Sequence, residues 1–568
     1  MMKSRIRIVS IVVLALLGAM APSVAADPPS FDEEWVQSAP ATVGLIGINT
    51  QASVQAMTYS SYLLSLRGTT SKVDFAGTCS SLSDPNCLTW DKLQFRSDLQ
   101  PCSAAIPSDC FNGLIVKDSN GKEIASTLVT DAIAPLKQSY TGSPEKSLPT
   151  GGAPLIFSIP GAAHSGGDLY MVKPDLVGMM EKGDEKFKIM KLEGVIVPVK
   201  KVAGDTGNLQ ISDTATDYAS IDMISGDGRN SGTVKCDYFK DGKTCFVTQA
   251  FPAGISFGMK LRLSQSVYGW LHGRLRNPDV SVAANPAAKD GVDLTIVAEP
   301  LRVPVLFGWT ESAKAPAALV ARYNDVPRLG TVFGTPGKAV DRNGPLSEIS
   351  MLHEQLDASE SNLAQVRDWL NVLGDKATVE PYNWSVQTMI GGNSEEINKC
   401  TKDSKALAGI VSTNATMYSP GAPAFNKESQ SLDYQVVAPH FTHSGDVFLG
   451  TYDLLMSSEV ARCVYNFSKA PISATISIVS SDGNTRVATT SMTEKNGFLH
   501  LGAYGFEFSS PTVKVTLKQE PVKEEVKPAV VTPVRNSAKR TITCLLGKTT
   551  KKITALKPVC PKGFKLKK

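Results

Sequence analysis

Short runs in which apolar and polar residues alternate recur from residue 27 to about residue 340. Lys260-Leu261-Arg262-Leu263-Ser264 has the period of two expected of a half-buried strand. Val195 to Val202, Val292 to Val297 and Leu301 to Trp309 are further strand-like runs. Turn-forming clusters such as Gly204-Asp205-Thr206-Gly207 and Gly226-Asp227-Gly228 punctuate the region. Few helical patterns intervene, so antiparallel sheets are expected rather than alternating strands and helices. Residues 376–518 return to the same habit. Ser473 to Val479, the polar Ser480 to Asn484 and Arg486 to Thr490 read as strand, turn, strand. Phe498 to Tyr504 and Thr512 to Leu517 continue it.

One segment differs. Ile349, Leu356, Leu363 and Leu370 are seven apart, as are Leu352, Ser359, Val366 and Leu373. This heptad, broken once at Ser359, predicts an amphipathic helix over residues 341–375, with a start at Asn343-Gly344-Pro345 and a stop at Gly374-Asp375. Packed on a sheet it is an ordinary core helix, the reading its length favours. Left exposed, residues 346–373 would be a self-association seam.

Two stretches resemble each other. Pro160 to Gly166 contains His164-Ser165-Gly166 and runs on to Asp175-Leu176. Pro439 to Gly445 contains His443-Ser444-Gly445 and runs on to Asp453-Leu454. An apolar run precedes each, Leu155 to Ile159 and Tyr434 to Ala438. Two related β-rich units on either side of the helix would produce this repeat.

The chain is thus expected to be mainly β, with two or more antiparallel β-sandwich-like domains and one long amphipathic helix between them. The N-terminal β-rich region is 27–340, itself long enough for two domains, and the C-terminal one is 376–518. Residues 519–539 have the Pro, Lys, Glu and Val content of an extended linker, and residues 540–568 form a small basic end. With 568 residues, 42% hydrophobic, there is ample apolar surface for several cores, which excludes a wholly disordered chain.

Residues 1–26 read as a signal peptide. Lys3, Arg5 and Arg7 precede a mostly apolar stretch from Ile8 to Ala21, and Val24-Ala25-Ala26 supplies small residues for cleavage. The stretch is shorter than the roughly 20 apolar residues a bilayer span needs. A secreted, cell-wall-associated protein is therefore expected. Export permits disulfides, and the ten cysteines fall into neighbouring couples: Cys79/Cys87, Cys102/Cys110, Cys236/Cys245, Cys400/Cys463 and Cys544/Cys560. Nearest-neighbour pairing is the expectation, although spacing alone does not fix connectivity. Cys-x2-Cys zinc spacing does not occur.

Charge is unevenly distributed. Residues 535–568 hold eleven Lys or Arg and no acid, and the first 26 residues hold three more. A total of +4 then leaves a net charge of about −10 on residues 27–534. The basic end is patterned: Thr541 to Cys544 and Lys551 to Thr554 suit two strands closed by Cys544 and Cys560. The sequence Ile-Thr-Cys, Gly-Lys, Lys-Lys-Ile-Thr, Lys-Pro-Val-Cys-Pro-Lys-Gly resembles the short Lys-rich two-Cys module that closes many exported Gram-positive bacterial proteins of uncharacterised families. Ala438-Pro439-His440, Val460 to Tyr465 and Phe508 to Pro511 are similar to C-terminal regions from the same group. The resemblance covers about the last third of the chain. It implies a place at or beyond the cell wall and assigns no catalytic residue.

A compact cationic module suits a polyanion, with Lys548, Lys551, Lys552, Lys557, Lys562 and Lys565 as contacts to an anionic envelope polymer or membrane surface. Nucleic acid is not expected, because only Phe564 supplies an aromatic ring for base stacking. Catalytic patterns are weak. Gly254-Ile255-Ser256-Phe257-Gly258 has the spacing of a nucleophile elbow, but a strand pattern follows where that motif needs a helix. His443 is the other catalytic candidate. His440, His443 and Asp446 would ligate a metal only from a turn. Calcium and phosphate-loop motifs do not occur, and no cofactor is expected. The reading is a non-catalytic structural or adhesive protein of the cell surface. A secreted hydrolase of wall glycan or esters is one alternative. A carbohydrate-binding protein using Tyr268, Trp270 and Trp309 is the other.

Overall fold

Strands dominate the structure, a computed structural model, and helices are few. It describes residues 44–50, 61–69, 72–88, 90–130, 140–203, 238–241, 244–267, 269–324, 331–333, 351–355, 360–389, 395–401, 407–468, 472–479, 485–487, 489–508, 512–519 and 538–568. Residues 1–26, expected to be a signal peptide, the core of the expected linker and Cys236 lie outside these residues. The chain divides into two compact units, Met1–Gln519 and Glu520–Lys568.

In the larger unit the alternating runs are strands. Lys260 to Leu263 belong to Ser256–Leu263, in which Met259, Leu261 and Leu263 are buried while Lys260 is exposed. That strand lies between Val292–Arg302 and Cys110–Lys117, antiparallel to both. Its apolar side chains join a first core with Phe95, Tyr170 and Trp384. Each such burial contributes about 1.5–3 kcal/mol. Trp384 is fully buried, and its indole N–H is shared between the carbonyls of Phe257 and Ala298.

A second core gathers Tyr434, Phe448, Tyr452, Phe508 and Val515. The two cores share a wall. Gly269–Ala284 pairs parallel with Leu407–Thr413, which pairs antiparallel with Leu449–Ser457, itself antiparallel to Phe498–Glu507. Neighbouring side chains on a strand point to opposite faces. Leu271, Ile410, Leu455 and Phe498 therefore enter the first core, and Trp270, Val411, Leu454 and Leu499 enter the second. Regions 27–340 and 376–518 are thus joined through one sheet instead of standing as separate bodies. Gly409 is required in that wall: a Cβ there would lie 2.5 Å from the Trp270 ring and 2.3 Å from the Leu455 carbonyl.

Buried Arg274 closes the junction. Its guanidinium donates to the carbonyls of Thr413 and Ala415 at 2.7 and 2.6 Å, and to that of Thr416 at 3.4 Å. It also lies over the Tyr418 ring. Ser412 Oγ accepts the Leu275 N–H at 2.8 Å. These bonds satisfy carbonyls that the chain exposes to the interior as it leaves the wall.

The helix is shorter than the heptad predicts. It runs Glu360–Val372, and Met351–Gln355 is a strand. There the backbone has ladder partners on both sides, Leu45–Asn49 in parallel and Thr331–Phe333 antiparallel. Sheet hydrogen bonding to distant segments outweighs local helical periodicity at these five residues. Leu363, Val366, Trp369 and Leu370 pack into the chain's own core against Ile46, Ile48 and Leu319. Leu363, Val366 and Leu370 of the expected 346–373 seam are thereby occupied internally. Gly374 and Asp375, both left-handed, end the helix where expected.

The repeat is local. Both copies have the order strand, His-bearing turn, strand, with a buried aspartate on the second strand, Asp175 or Asp453. In the first copy the two strands form a hairpin, Leu155–Ser158 on Leu169–Glu181. In the second, Ser431–Val437 pairs instead with Thr512–Gln519.

Four disulfides follow the nearest-neighbour expectation: Cys79–Cys87, Cys102–Cys110, Cys400–Cys463 and Cys544–Cys560. The fifth expected bond, Cys236 to Cys245, is not among them. Of this couple only the backbone of Cys245 is described. Its backbone stands in strand Thr244–Thr248, between Phe239 and Val202 on the neighbouring strands. Its expected partner Cys236 lies outside the described residues, and so does the expected Cys236–Cys245 bond.

Cys400–Cys463 ties helix Glu395–Thr401 to helix Ser458–Val464 across 63 residues, against 8 for Cys79–Cys87. In the chain-entropy account the longer loop is worth about 4 kcal/mol and the shorter about 2.5 kcal/mol. Replacing Cys400 and Cys463 by Ser is therefore expected to lower the melting temperature more than replacing Cys79 and Cys87, as calorimetry will read. An equal or reversed order refutes the entropic ranking.

His272 is also buried, stacked flat on Tyr418 with ring centroids 3.4 Å apart. Burial, then the charge of Arg274, depresses its pKa well below 6.5. The unfolded chain takes up a proton near pH 6.5 that the folded imidazole refuses, so this residue removes stability as pH falls below about 6.5. His272→Phe is expected to gain stability relative to the parent in denaturant titrations at pH 5 but not at pH 8. A difference between the two proteins that is constant with pH contradicts this.

Candidate functional site

In the smaller unit, Arg540–Leu546 and Thr549–Ala555 form an antiparallel hairpin. Its turn is Gly547-Lys548, with Gly547 left-handed as a tight hairpin requires. Lys565–Leu566 adds a third strand beside Cys544 and Leu545. Cys544 is fully buried and bonded to Cys560. Ile542 and Ile553, opposite each other, are only partly buried. So small an apolar interior cannot hold a fold of this size without a cross-link.

The six predicted contact lysines, Lys548, Lys551, Lys552, Lys557, Lys562 and Lys565, are all exposed. Among the described residues none of them is in an ion pair. Pairing register puts Lys552 and Lys565 on one face with Thr541, Thr543 and Leu545, and Lys551 on the other with Arg540 and Leu546. Leu546, Leu556, Val559 and Leu566 are exposed too, at 50–77%. Positive charge is thus interleaved with exposed apolar side chains on this unit.

The His-bearing turn of the second copy is a different kind of site. Asp375 accepts both the backbone N–H of His440 and a hydrogen bond from its Nδ1. Glu380, fully buried, does the same for His443, with Nδ1 at 2.7 Å, and also pairs with Arg302 at 2.7 Å. Each imidazole is therefore held at Nδ1 by its own carboxylate, the orientation that base or ligand histidines adopt. Asp446 takes no part: it accepts from Ser444 Oγ, and its N–H bonds Thr442 Oγ1 within the turn. Among the described residues no three His, Cys, Asp or Glu side chains gather in a way that could hold a metal. Asp375 and Glu380 carried no signal in the sequence beyond Asp375 marking the helix end. In the first copy His164 is a turn brace, with Nε2 on the Leu169 carbonyl and Nδ1 accepting the Gly166 N–H.

Ser256 opens strand Ser256–Leu263 opposite Lys117, so a strand follows it where a nucleophile elbow needs a helix. Its flanking glycines have backbone reasons. Gly254 is left-handed, and a Cβ on Gly258 would lie 2.4 Å from the Ile296 carbonyl. Trp270 is buried in the second core, so it presents no ring for sugar stacking.

One cluster was invisible in the sequence. Arg96, Asp98, Lys173, Asp175 and Glu193 meet on adjacent strands. Arg96 reaches Asp175 at 2.8 Å and Glu193 at 2.9 Å, and Lys173 Nζ lies 3.3 Å from Asp175 and 3.6 Å from Asp98. In the second copy Asp453 instead takes hydrogen bonds from His500 and Tyr504.

Removing the Cys544–Cys560 bond should act on the small unit alone. Replacing Cys544 and Cys560 by Ser is expected to make residues 540–568 sensitive to protease while the larger unit keeps its resistance; undiminished resistance of the tail refutes the dependence on the cross-link. Among the described residues no helix is long and apolar enough to cross a membrane. Comparison with family models, curated proteins and solved structures finds no match to this chain.

Proposed function

We propose that the chain is a non-catalytic, exported protein of the cell surface, structural or adhesive in role, held at an anionic envelope by its C-terminal module. The observation that carries the reading is the set of six exposed lysines on a disulfide-closed unit, joined to a chain whose residues 27–534 carry a net charge of about −10. Four disulfides support an oxidising compartment. The likeness of the tail to the Lys-rich module of exported Gram-positive proteins supports the same location. An ammonium-studded hairpin gains from phosphate-rich polymers or lipid headgroups through charge, and that gain is screened by salt.

The test uses the full chain and a variant ending at residue 534, each mixed with a teichoic-acid-bearing wall preparation. The full chain is expected to sediment with the wall at 0.1 M salt and to be released at 1 M, where the Debye length falls from about 10 Å to about 3 Å. The shortened chain should stay in solution at both. Equal sedimentation of the two proteins defeats the proposal.

A further inference from the structure

We infer that Lys173 and Asp98 condense into an intramolecular amide bond, with Asp175 transferring the proton, so that the wall of the first core is covalently cross-linked. Strand register brings the three together. Asp98 is directly opposite Asp175, and Lys173 lies two residues from Asp175 on the same face. Two carboxylates placed opposite each other repel. Here a lysine stands beside both of them.

Burial makes the arrangement reactive. Asp98, Lys173 and Asp175 are 1–2% exposed, and neither oxygen of Asp98 has a hydrogen-bond partner. A carboxylate so placed is costly to keep charged. Burial pushes the Asp98 carboxyl up to about 7. Asp175 is equally buried, yet Arg96 and then Lys173 outweigh that burial and hold it below the ordinary range. Two carboxyl groups side by side are thus driven apart, Asp98 toward the neutral acid and Asp175 toward the ionised base, the division of labour that acyl chemistry requires. Lys173 Nζ lies 3.6 Å from Asp98 Oδ1, so a small side-chain shift brings the amine to the separation of roughly 3–3.5 Å at which such groups react.

The step balances without any co-reactant. A proton passes from the Lys173 ammonium to the Asp98 carboxylate, leaving a neutral amine and a neutral acid. The Nζ lone pair attacks Asp98 Cγ, and the C–N bond forms. Asp175 accepts a proton from Nζ and returns it to the departing hydroxyl. The C–O bond breaks and one water leaves. One positive and one negative charge vanish together, so the remaining group of Arg96, Asp175, Glu193 and Lys191 keeps its balance.

The surroundings favour the amide over its hydrolysis. Gly151 and Gly152 pack against the backbone of the strand that carries Asp98 and against Tyr140. A Cβ on Gly152 would sit 2.6 Å from the Asp98 carbonyl, and one on Gly151 would sit 2.8 Å from the Tyr140 ring. Ser61 Oγ bonds the N–H groups of both Asp98 and Gly152, fixing this packing. Water is excluded, and effective concentrations of about 10⁵–10⁸ M apply to groups held in this way. The second copy of the repeat has Thr451 where the first has Lys173, so the reaction belongs to one copy alone.

Mass spectrometry decides it. The purified full chain, reduced and denatured, is expected to weigh one water less than its sequence, and proteolysis should yield a branched peptide joining the segments around residues 98 and 173. Lys173→Ala and Asp175→Asn should restore the full mass. A parent chain that keeps its full mass after incubation at neutral pH overturns the inference and leaves an ordinary buried ion cluster. So does a Lys173→Ala chain that still lacks the water. A water-depleted Asp175→Asn chain overturns the proton-transfer role. The first of these readings needs no variant to fold.

Discussion

The guanidinium of Arg274, sealed among backbone carbonyls, is the constraint on which the larger unit depends. The strand carrying it has Leu271 and Leu275 in one core and Trp270 in the other. The chain that follows Leu407–Thr413 turns away from that strand, and its carbonyls point inward at Thr413, Ala415 and Thr416. An uncapped buried carbonyl costs about 1–3 kcal/mol, so three of them would offset much of the stability of a domain. Arginine alone among the side chains brings several donors in a fixed plane without needing a carboxylate partner. The same charge helps keep His272 neutral on Tyr418, which lets the imidazole serve as core packing.

Much of the sheet structure was legible because its strands are half-buried. Lys260 to Leu263 and Ile472 to Val479 alternate in sequence and alternate in burial. The wall was not legible, and the reason is physical. Leu407–Thr413 is buried at all seven positions, since a core lies on each side of it, and a strand covered on both faces has no period of two to read. A sequence that shows two alternating regions then suggests two bodies, although the strands between them are shared. The helix was legible from Glu360 onward, where Leu363, Val366 and Leu370 meet a core. It was misread before that, because ladder partners at Leu45–Asn49 are some three hundred residues away in the chain. The basic module was readable almost entirely, since its hairpin, its disulfide and its charges are all local.

The two His-bearing turns show how little a repeated motif fixes by itself. Both place a buried aspartate on the strand that follows. Sequence determines the strand, the turn and the acid, but the acid's neighbours come from other strands. Asp175 meets Arg96 and Lys173, and Asp453 meets His500 and Tyr504. The first set holds an amine against two carboxyl groups, and the second holds only hydrogen-bond donors. The chemistry of each copy is therefore a property of tertiary register. For the same reason Asp375 and Glu380, which orient His440 and His443, could not be found by spacing.

On the proposed function, charge gives the division into two units its sense. An acidic body and a cationic module cannot both be drawn to one anionic surface. At physiological salt the repulsion of the body matters only within a Debye length of about 8 Å, so a module able to approach independently is attracted at distances where the body is not yet repelled. That independence demands a fold that does not borrow its core from the body. Thirty residues with a few half-buried isoleucines cannot supply one, and the Cys544–Cys560 bond replaces the missing apolar area. The lysines then need no partners for stability, as the proposed contact with an anionic surface requires. The exposed leucines between them add a short-range term that salt does not screen, so strong salt should weaken contact with a bilayer less than contact with a wholly hydrophilic polymer.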